Sequence, residues 1–360
     1  MSAPVQKIVA RLQPPKGFMG SLVAVLMAFA VGAALIASVG VNPVTAYAAL
    51  IEAALGSSNG LAETLVRTVP LALCGLGITM GFRAGAFNVG AEGQLYLGGI
   101  AAGATGVALA GSSSWVVLPA MALASMLAGG LWSALAGWLK LRFRADELIT
   151  TIMLNYVAID LCAYLLHGPL QDPNSPLAQT ARLDAAARLP VLLSGTRLHA
   201  GVLIVVVAAV LCHVFLWKRV GGFHLRATGL NPHAAKNAGI RVSHYLTLGF
   251  VIGGVLAGLA GFAEVAGVQR RMIENLSPGF GYTAIIVALL GRTSPLGVLA
   301  SAFLFAALQI GATTMESAAG VPGTLTVVIQ GLVVLFLIGS GAFAEWAGHL
   351  VKRLRRSANQ

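Results

Sequence analysis

Residues 217–244 read WKRVGGFHLRATGLNPHAAKNAGIRVSH, the longest polar and basic interruption in a chain that is otherwise mostly apolar. The apolar runs at 200–217 and 245–268 that flank it are long enough to cross a bilayer, and they set the fold class. Within the interruption the grammar of a short helix is complete. Asn231 suits the N-cap, and Pro232 suits the first helical position, where its missing N–H costs nothing. Gly239 supplies a left-handed stop. A helix of about two turns, roughly 10 Å long, is not stable alone. Ala234, Ala235 and Ala238 give it a small, smooth face suited to docking in a groove. From these residues two readings stand open: a solvated loop with one helical turn, or a docking helix.

Composition bounds the rest. The 360 residues are 57% hydrophobic and 10% charged, with a mean hydropathy of +0.84. Soluble domains carry about 25% charged residues, so the expected class is an all-α polytopic membrane protein. The net charge of +11 resides in short loops between apolar runs. That is the pattern of membrane orientation and not of a nucleic-acid surface, so the expected surroundings are a lipid bilayer and no nucleic acid. Cys74, Cys162 and Cys212 lie within apolar segments and lack metal-ligand spacing; they read as small hydrophobes.

Ten candidate spans follow, at 18–40, 65–82, 90–110, 115–139, 147–166, 200–217, 245–268, 280–291, 295–311 and 324–341. The eighth is shorter than the roughly 20 residues a crossing needs and reads as broken, tilted or re-entrant. With the N-terminus in the cytosol, seventeen of the 23 basic residues fall on the cytosolic side. The positive-inside rule then places both termini and the 218–244 loop in the cytosol. The expected organisation is a cytosolic arm at 1–17, a transmembrane domain at 18–341 and a basic cytosolic tail at 342–360. The outer segment 167–199 holds four prolines and is expected to be an ordered loop with a short helix around 177–188.

Small residues recur at four-residue spacing at Gly249, Gly253, Ala257 and Gly261, and again at Gly129, Ser133 and Gly137. Such ladders let helix backbones approach closely, within one subunit or at an interface. The glycine-rich stretch GFRAGAFNVGAEGQ (81–94) places Asn88, Glu92 and Gln94 beside a membrane helix. Irregular polar backbone at that depth needs protein or a water-filled cavity around it. These side chains either satisfy the freed backbone groups of a turn or line a substrate pathway. In DELITTIMLNYVAID (146–160), Asp146 and Glu147 suit a helix start. Thr151 and Asn155 share one face near mid-span, where they could hydrogen-bond a polar solute or a neighbouring helix. Asp160 and Glu264 lie toward outer helix ends, where they are expected to reach water.

Chemistry of the chain's own is not expected. No lysine precedes Ser or Thr, so a Walker A loop is missing. There is no His-Glu-x-x-His, and Gly56-Ser57-Ser58-Asn59-Gly60 matches a nucleophile motif outside the strand-to-helix turn that motif requires. No catalytic residue, metal site or cofactor is assigned. A carrier-like body with a docking helix suggests a pore-forming subunit driven by a separate motor.

The run RTVPLALCGLGITMGFRAGAFNVGAEGQLYLGG (67–99) resembles the signature of bacterial ABC-importer permeases of the branched-chain amino acid/ribose superfamily. DELITTIMLNYVA (146–158), SPGFGYTAIIVALLGRTSPLGVL (277–299) and GVPGTLTVVIQGL (320–332) match the same group, and FNVGAEGQ with TIMLNY is similar to its nucleoside-type branch, often labelled simple-sugar permeases. The resemblance spans about residues 60–340. It implies a type II importer arrangement of about ten helices in the bacterial cytoplasmic membrane. It also implies three partners: a cytosolic ATPase, often with two cassettes on one chain; a second, homologous permease; and an extracytoplasmic solute-binding protein or lipoprotein. By the same resemblance 226–240 is the coupling segment, carried by Arg226, Gly229, Asn231, Pro232, Ala234, Ala235, Ala238 and Gly239. The pore would be lined near Asn88 and Leu148, and the outer loops 167–199 and 268–280 would receive the binding protein. The expected cargo is a nucleoside, with a ribose- or galactose-type monosaccharide as the alternative. An ion-coupled carrier using Glu92 or Asp160 is a third reading.

Overall fold

Several helices in this computed structural model begin where a side chain accepts the first free N–H groups. The structure describes residues 18–325, 327–332 and 335–336. The expected cytosolic arm (1–17) and basic tail (342–360), and the end of the tenth span from 337 on, lie outside the described residues. The chain divides into two compact units, residues 61–306 and residues 1–60 with 307–360.

In the larger unit, α3 (Ser58–Ala84) leads into α4 (Ala91–Ala108), α5 (Ser114–Phe143) and α6 (Glu147–Leu166). Then come α7 (Gly201–Lys218), the short α8 (Val220–Leu230) and α9 (Pro232–Asn237), α10 (Val242–Ala263) and α11 (Phe280–Leu290), and last α12 (Pro295–Ala319), which begins in this unit and from Ala307 belongs to the smaller one. As expected, Asp146 caps α6, accepting from Leu148 N at 2.9 Å and Ile149 N at 3.2 Å. Glu147 beside it pairs with Lys140 of the preceding helix. α10 runs on into a π-helical turn, Glu264–Gln269, and stops at Arg270, whose φ is 58°.

The core of this unit is made by α3, α4 and α10, with α5 packed along both α4 and α10. The small-residue ladders do this packing within the chain. A methyl group added at Gly77 would lie 2.6 Å from the carbonyl oxygen of Gly253. At Gly129 it would strike the carbonyl of Gly254. α6 and α7 instead expose rows of leucine, valine and isoleucine, as lipid-facing helices do.

Among the described residues six helices are long and apolar enough to cross a membrane, namely α3, α5, α6, α7, α10 with its π turn, and α12, and a bent pair nearer the N-terminus makes seven if it is one span. The eighth expected span is α11, only 11 residues. At about 1.5 Å per residue it covers roughly half of a hydrocarbon core.

In the smaller unit, α1 (Phe18–Ser38) meets α2 (Pro43–Leu55) at a bend of 120°. α2 was not expected from the sequence. Asn42 accepts from Val44 N at 2.9 Å and Pro43 occupies the first helical turn, so the chain restarts there as a helix. Tyr47 ties the two together by donating to the Phe29 carbonyl at 2.8 Å.

The outer segment also departs from expectation. Instead of a helix around 177–188, only Ala185–Ala187 forms a single 3-10 turn. The rest is turns, bends and irregular backbone, and it hydrogen-bonds to the chain after α10: Thr180 N to Met272 O (3.0 Å), Leu183 N to Arg270 O (2.9 Å) and Leu189 N to Ala266 O (3.0 Å). Those partners satisfy the backbone without a helix.

Candidate functional site

The break between α3 and α4 leaves backbone groups without helical partners, and buried side chains take them up. Asn88 accepts from Gly90 N at 2.8 Å and donates to Ser133 Oγ at 3.3 Å, and its amide pairs with that of Gln94. Thr151 Oγ1 accepts from Val89 N at 3.2 Å. Asn155 Oδ1 accepts from Gly93 N at 2.9 Å, while its Nδ2 donates to Val89 O at 3.0 Å. Four of the five pathway candidates therefore meet in one network at the α4–α6 contact, and each is at most 2% exposed. In this conformation they face protein.

Glu92, the fifth, turns the other way. Its Oε2 accepts from Gly281 N at 2.6 Å, at the start of α11. Ser277 Oγ takes the neighbouring N–H groups of Gly279 and Phe280. A carboxylate at a helix N-terminus is stabilised both by the hydrogen bond and by the macrodipole. Tyr282 links the two groups, since Asn155 Nδ2 lies 3.4 Å from its hydroxyl.

At the far end of α3 the coupling candidates separate into two sets. Asn231 caps α9, accepting from His233 N and Ala234 N at 3.1 Å each. Gly239, at φ +81°, lets Ile240 N return to Ala235 O at 3.0 Å. Ala234 and Ala238 are exposed, but Ala235 is buried beneath the helix. The expected three-alanine face is thus two outward alanines and one inward anchor. Adjacent positions on a helix point about 100° apart, so Ala234 and Ala235 cannot share a face fully.

Arg226 and Gly229 hold the segment to the body. Gly229 lies against the backbone of Arg83 and Gly85, where an added methyl group would come within 2.8 Å of Gly85 N. The Arg226 guanidinium stacks 4.2 Å from the centre of the Trp217 ring, and Arg83 reaches the same ring at 5.5 Å. Arg83 also donates to Thr293 O at 2.9 Å in the turn between α11 and α12. His224 Nδ1 sits 2.9 Å from the Tyr245 hydroxyl, clasping α8 to α10. The sequence reading missed Arg83, Trp217 and Tyr245. An arginine at a helix end beside a tryptophan is a detectable cue, but its partners lie far away in sequence.

Glu264 is also misjudged by sequence. Expected to reach water, it is 5% exposed, because the outer segment closes over the π turn that carries it.

Comparison with known proteins fits this architecture. The glucose ABC transporter permease protein TsgB13 of Haloferax volcanii is 42% identical, covering 89% of this chain and 87% of that protein. The guanosine permease NupP of Bacillus subtilis is 34% identical over 92% of this chain and 96% of its own. The nucleoside permease NupB of Lactococcus lactis is 31% identical over 88% and 89%. No solved structure matches the chain. The family described as "Branched-chain amino acid transport system / permease component" matches residues 60–338. The chain belongs to that family: it is a multi-pass ABC-transporter permease, a transport component and not an enzyme.

Proposed function

We propose that this chain is the membrane-spanning permease of a nucleoside importer in a bacterial cytoplasmic membrane. It has ten spans, with both termini and the 218–244 loop in the cytosol. A separate ATPase, with two cassettes on one chain, docks on 231–239 and drives the conformational cycle. A solute-binding protein delivers cargo to the outer loops, and a second homologous permease completes the pore. The observation that carries the docking assignment is the geometry of α9, a capped six-residue helix with Ala234 and Ala238 exposed and its base clamped by Gly229 and Arg226. Movement of such a helix would be passed to the body through Arg83, which already bridges α3 to the α11–α12 turn.

The nucleoside assignment rests on similarity along nearly the whole chain to permeases named for guanosine and nucleosides. A monosaccharide is the second reading, favoured by the 42% identity to a glucose permease. The test is uptake of radiolabelled guanosine and glucose by cells expressing the chain with its ATPase and binding protein. Saturable guanosine uptake that stops when the ATPase is inactivated is expected. Glucose uptake alone moves the assignment to the second reading. Uptake that persists without the ATPase and collapses with a protonophore overturns the importer reading.

A further inference from the structure

Arg67 and Arg83 stand on the same helix, about 24 Å apart at roughly 1.5 Å per residue. At the Arg67 end there is a pocket of about 220 Å³ whose polar lining is Glu63, Arg67, Arg197, Glu264 and Gln269, with Phe280 on its wall. Glu264 is 5% exposed. Among the described residues nothing hydrogen-bonds its carboxylate or forms an ion pair with it, although Arg67 and Arg197 both attract it electrostatically. Each arginine is engaged elsewhere. The Arg67 guanidinium rides 5.7 Å from the Phe280 ring centre, and Arg197 sits 3.7 Å from Glu63 in a half-exposed pair. Its oxygens keep only slight contact with the pocket's solvent and have no protein donor among the described residues, so the position suits a ligand that supplies donors. The π turn strengthens the case. Such widened turns concentrate at functional sites, and this one presents Glu264 and Gln269 to the same pocket.

We infer that this pocket binds the vicinal hydroxyls of a sugar ring, with Glu264 accepting from them and Arg67, Arg197 and Gln269 donating to the ring's oxygens. The inference rests on the importer reading above and names the part of the cargo that nucleosides and monosaccharides share. An ionised carboxylate accepts from two hydroxyls at once, while arginine and the glutamine amide donate. With Glu63 and Glu264 set against Arg67 and Arg197 the lining offers no excess positive charge for a phosphate, so the ligand is a neutral polyol and not a nucleotide or sugar phosphate. The volume agrees, because small-molecule sites of about 300–1,000 Å³ hold drug-sized ligands. A smaller pocket takes one sugar ring and leaves a nucleobase outside.

The test uses the full-length permease in detergent and reads ligand-dependent thermal stabilisation. The probes are guanosine, D-glucose, guanine and 2′,3′-dideoxyguanosine. Stabilisation by guanosine, by glucose or by both, with none from guanine or the dideoxynucleoside, is expected. Which of the two sugars acts identifies the source of the hydroxyls. Glu264→Gln should fold and raise the half-saturating concentration about tenfold or more, as loss of a charged hydrogen bond does; Gln269→Leu, which leaves the charges in place, should raise it less. Equal binding of dideoxyguanosine and guanosine, no response to any of the four probes, or unchanged binding by Glu264→Gln overturns the inference. Wild-type uptake in cells separates the two levels. If neither solute enters in an ATPase-dependent way, the importer reading fails; if uptake is normal in Glu264→Gln, only the pocket assignment fails.

Discussion

Glu92 and Gly281, 189 positions apart, are joined by a hydrogen bond of 2.6 Å from the glycine N–H to the carboxylate. The contact fixes where α11 begins. It ties that short helix to the first turn of α4, whose other side is held by Asn88, Gln94 and Asn155. A helix of 11 residues that ends inside the body depends on such caps, because lipid supplies no alternative donors or acceptors.

Replacing Glu92 with alanine should therefore destabilise the permease by about 1–3 kcal/mol, the usual cost of leaving a buried polar group unpaired. Glu92→Gln keeps an acceptor oxygen and should lose less. Thermal unfolding in detergent measures both. A Glu92→Ala protein that melts with the wild type but no longer transports would show that the carboxylate serves the cargo and not the helix.

How much of this could be read from the chain depends on whether the signal is local. The Asp146 cap and the glycine ladders are carried by neighbouring residues and stand where the sequence places them. The Asn-Pro signature that marks α9 at Asn231-Pro232 also marks α2 at Asn42-Pro43, in the stretch between the spans expected at 18–40 and 65–82. The partners of Glu92, Arg83 and Glu264 lie on other helices, and only the packed chain decides which of them face water. Whether Asn155 would bind solute or backbone was open for the same reason; here Gly93 and Val89 occupy it.

The division of the α9 alanines yields a discriminating pair of variants. Ala234→Glu places a charge on the exposed face and should leave the melting temperature nearly unchanged. Uptake should fall about tenfold or more while the ATPase stays active, a loss of about 1.4 kcal/mol of coupling. Ala235→Glu forces a charge into a buried position and should lower the melting temperature itself. Normal uptake by the Ala234 variant would remove that surface from the ATPase contact.

His199, in the outer segment just before α7, should give the protein a pH-dependent stability. Its ring is buried against Gly201 and Gly267, and Nδ1 accepts from Gly201 N at 3.1 Å. Burial, aided by the positive charge of Arg197, lowers its pKa from 6.5 to about 4. Above pH 6.5 the imidazole is neutral in both folded and unfolded chains, and stability is complete. As pH falls toward 4, only the unfolded chain takes up the proton, so stability declines by about 2 kcal/mol by pH 5. Melting curves at pH 7.5 and 5 should show a larger drop for wild type than for His199→Gln. Equal drops would mean that the ring is already protonated in the fold.

The seam between α5 and α10 should tolerate no side chain at Gly129. A Cβ there meets the carbonyl oxygen of Gly254 and the backbone of Gly258, neither of which can rotate away as a side-chain tip could. Gly129→Val must then push two core helices apart, at a cost above the roughly 1–3 kcal/mol typical of overpacked interiors. Gly195 is the control for accumulation. It lies in an outer turn at φ +80° with nothing within 4 Å of an added Cβ, so Gly195→Ala bears only backbone strain. That strain is of order 1 kcal/mol. Quantifying folded protein by size-exclusion after detergent extraction should show Gly195→Ala near the wild-type level and Gly129→Val nearly absent. Recovery of Gly129→Val at wild-type yield would mean that the α5–α10 seam is not closed in the membrane as it is here.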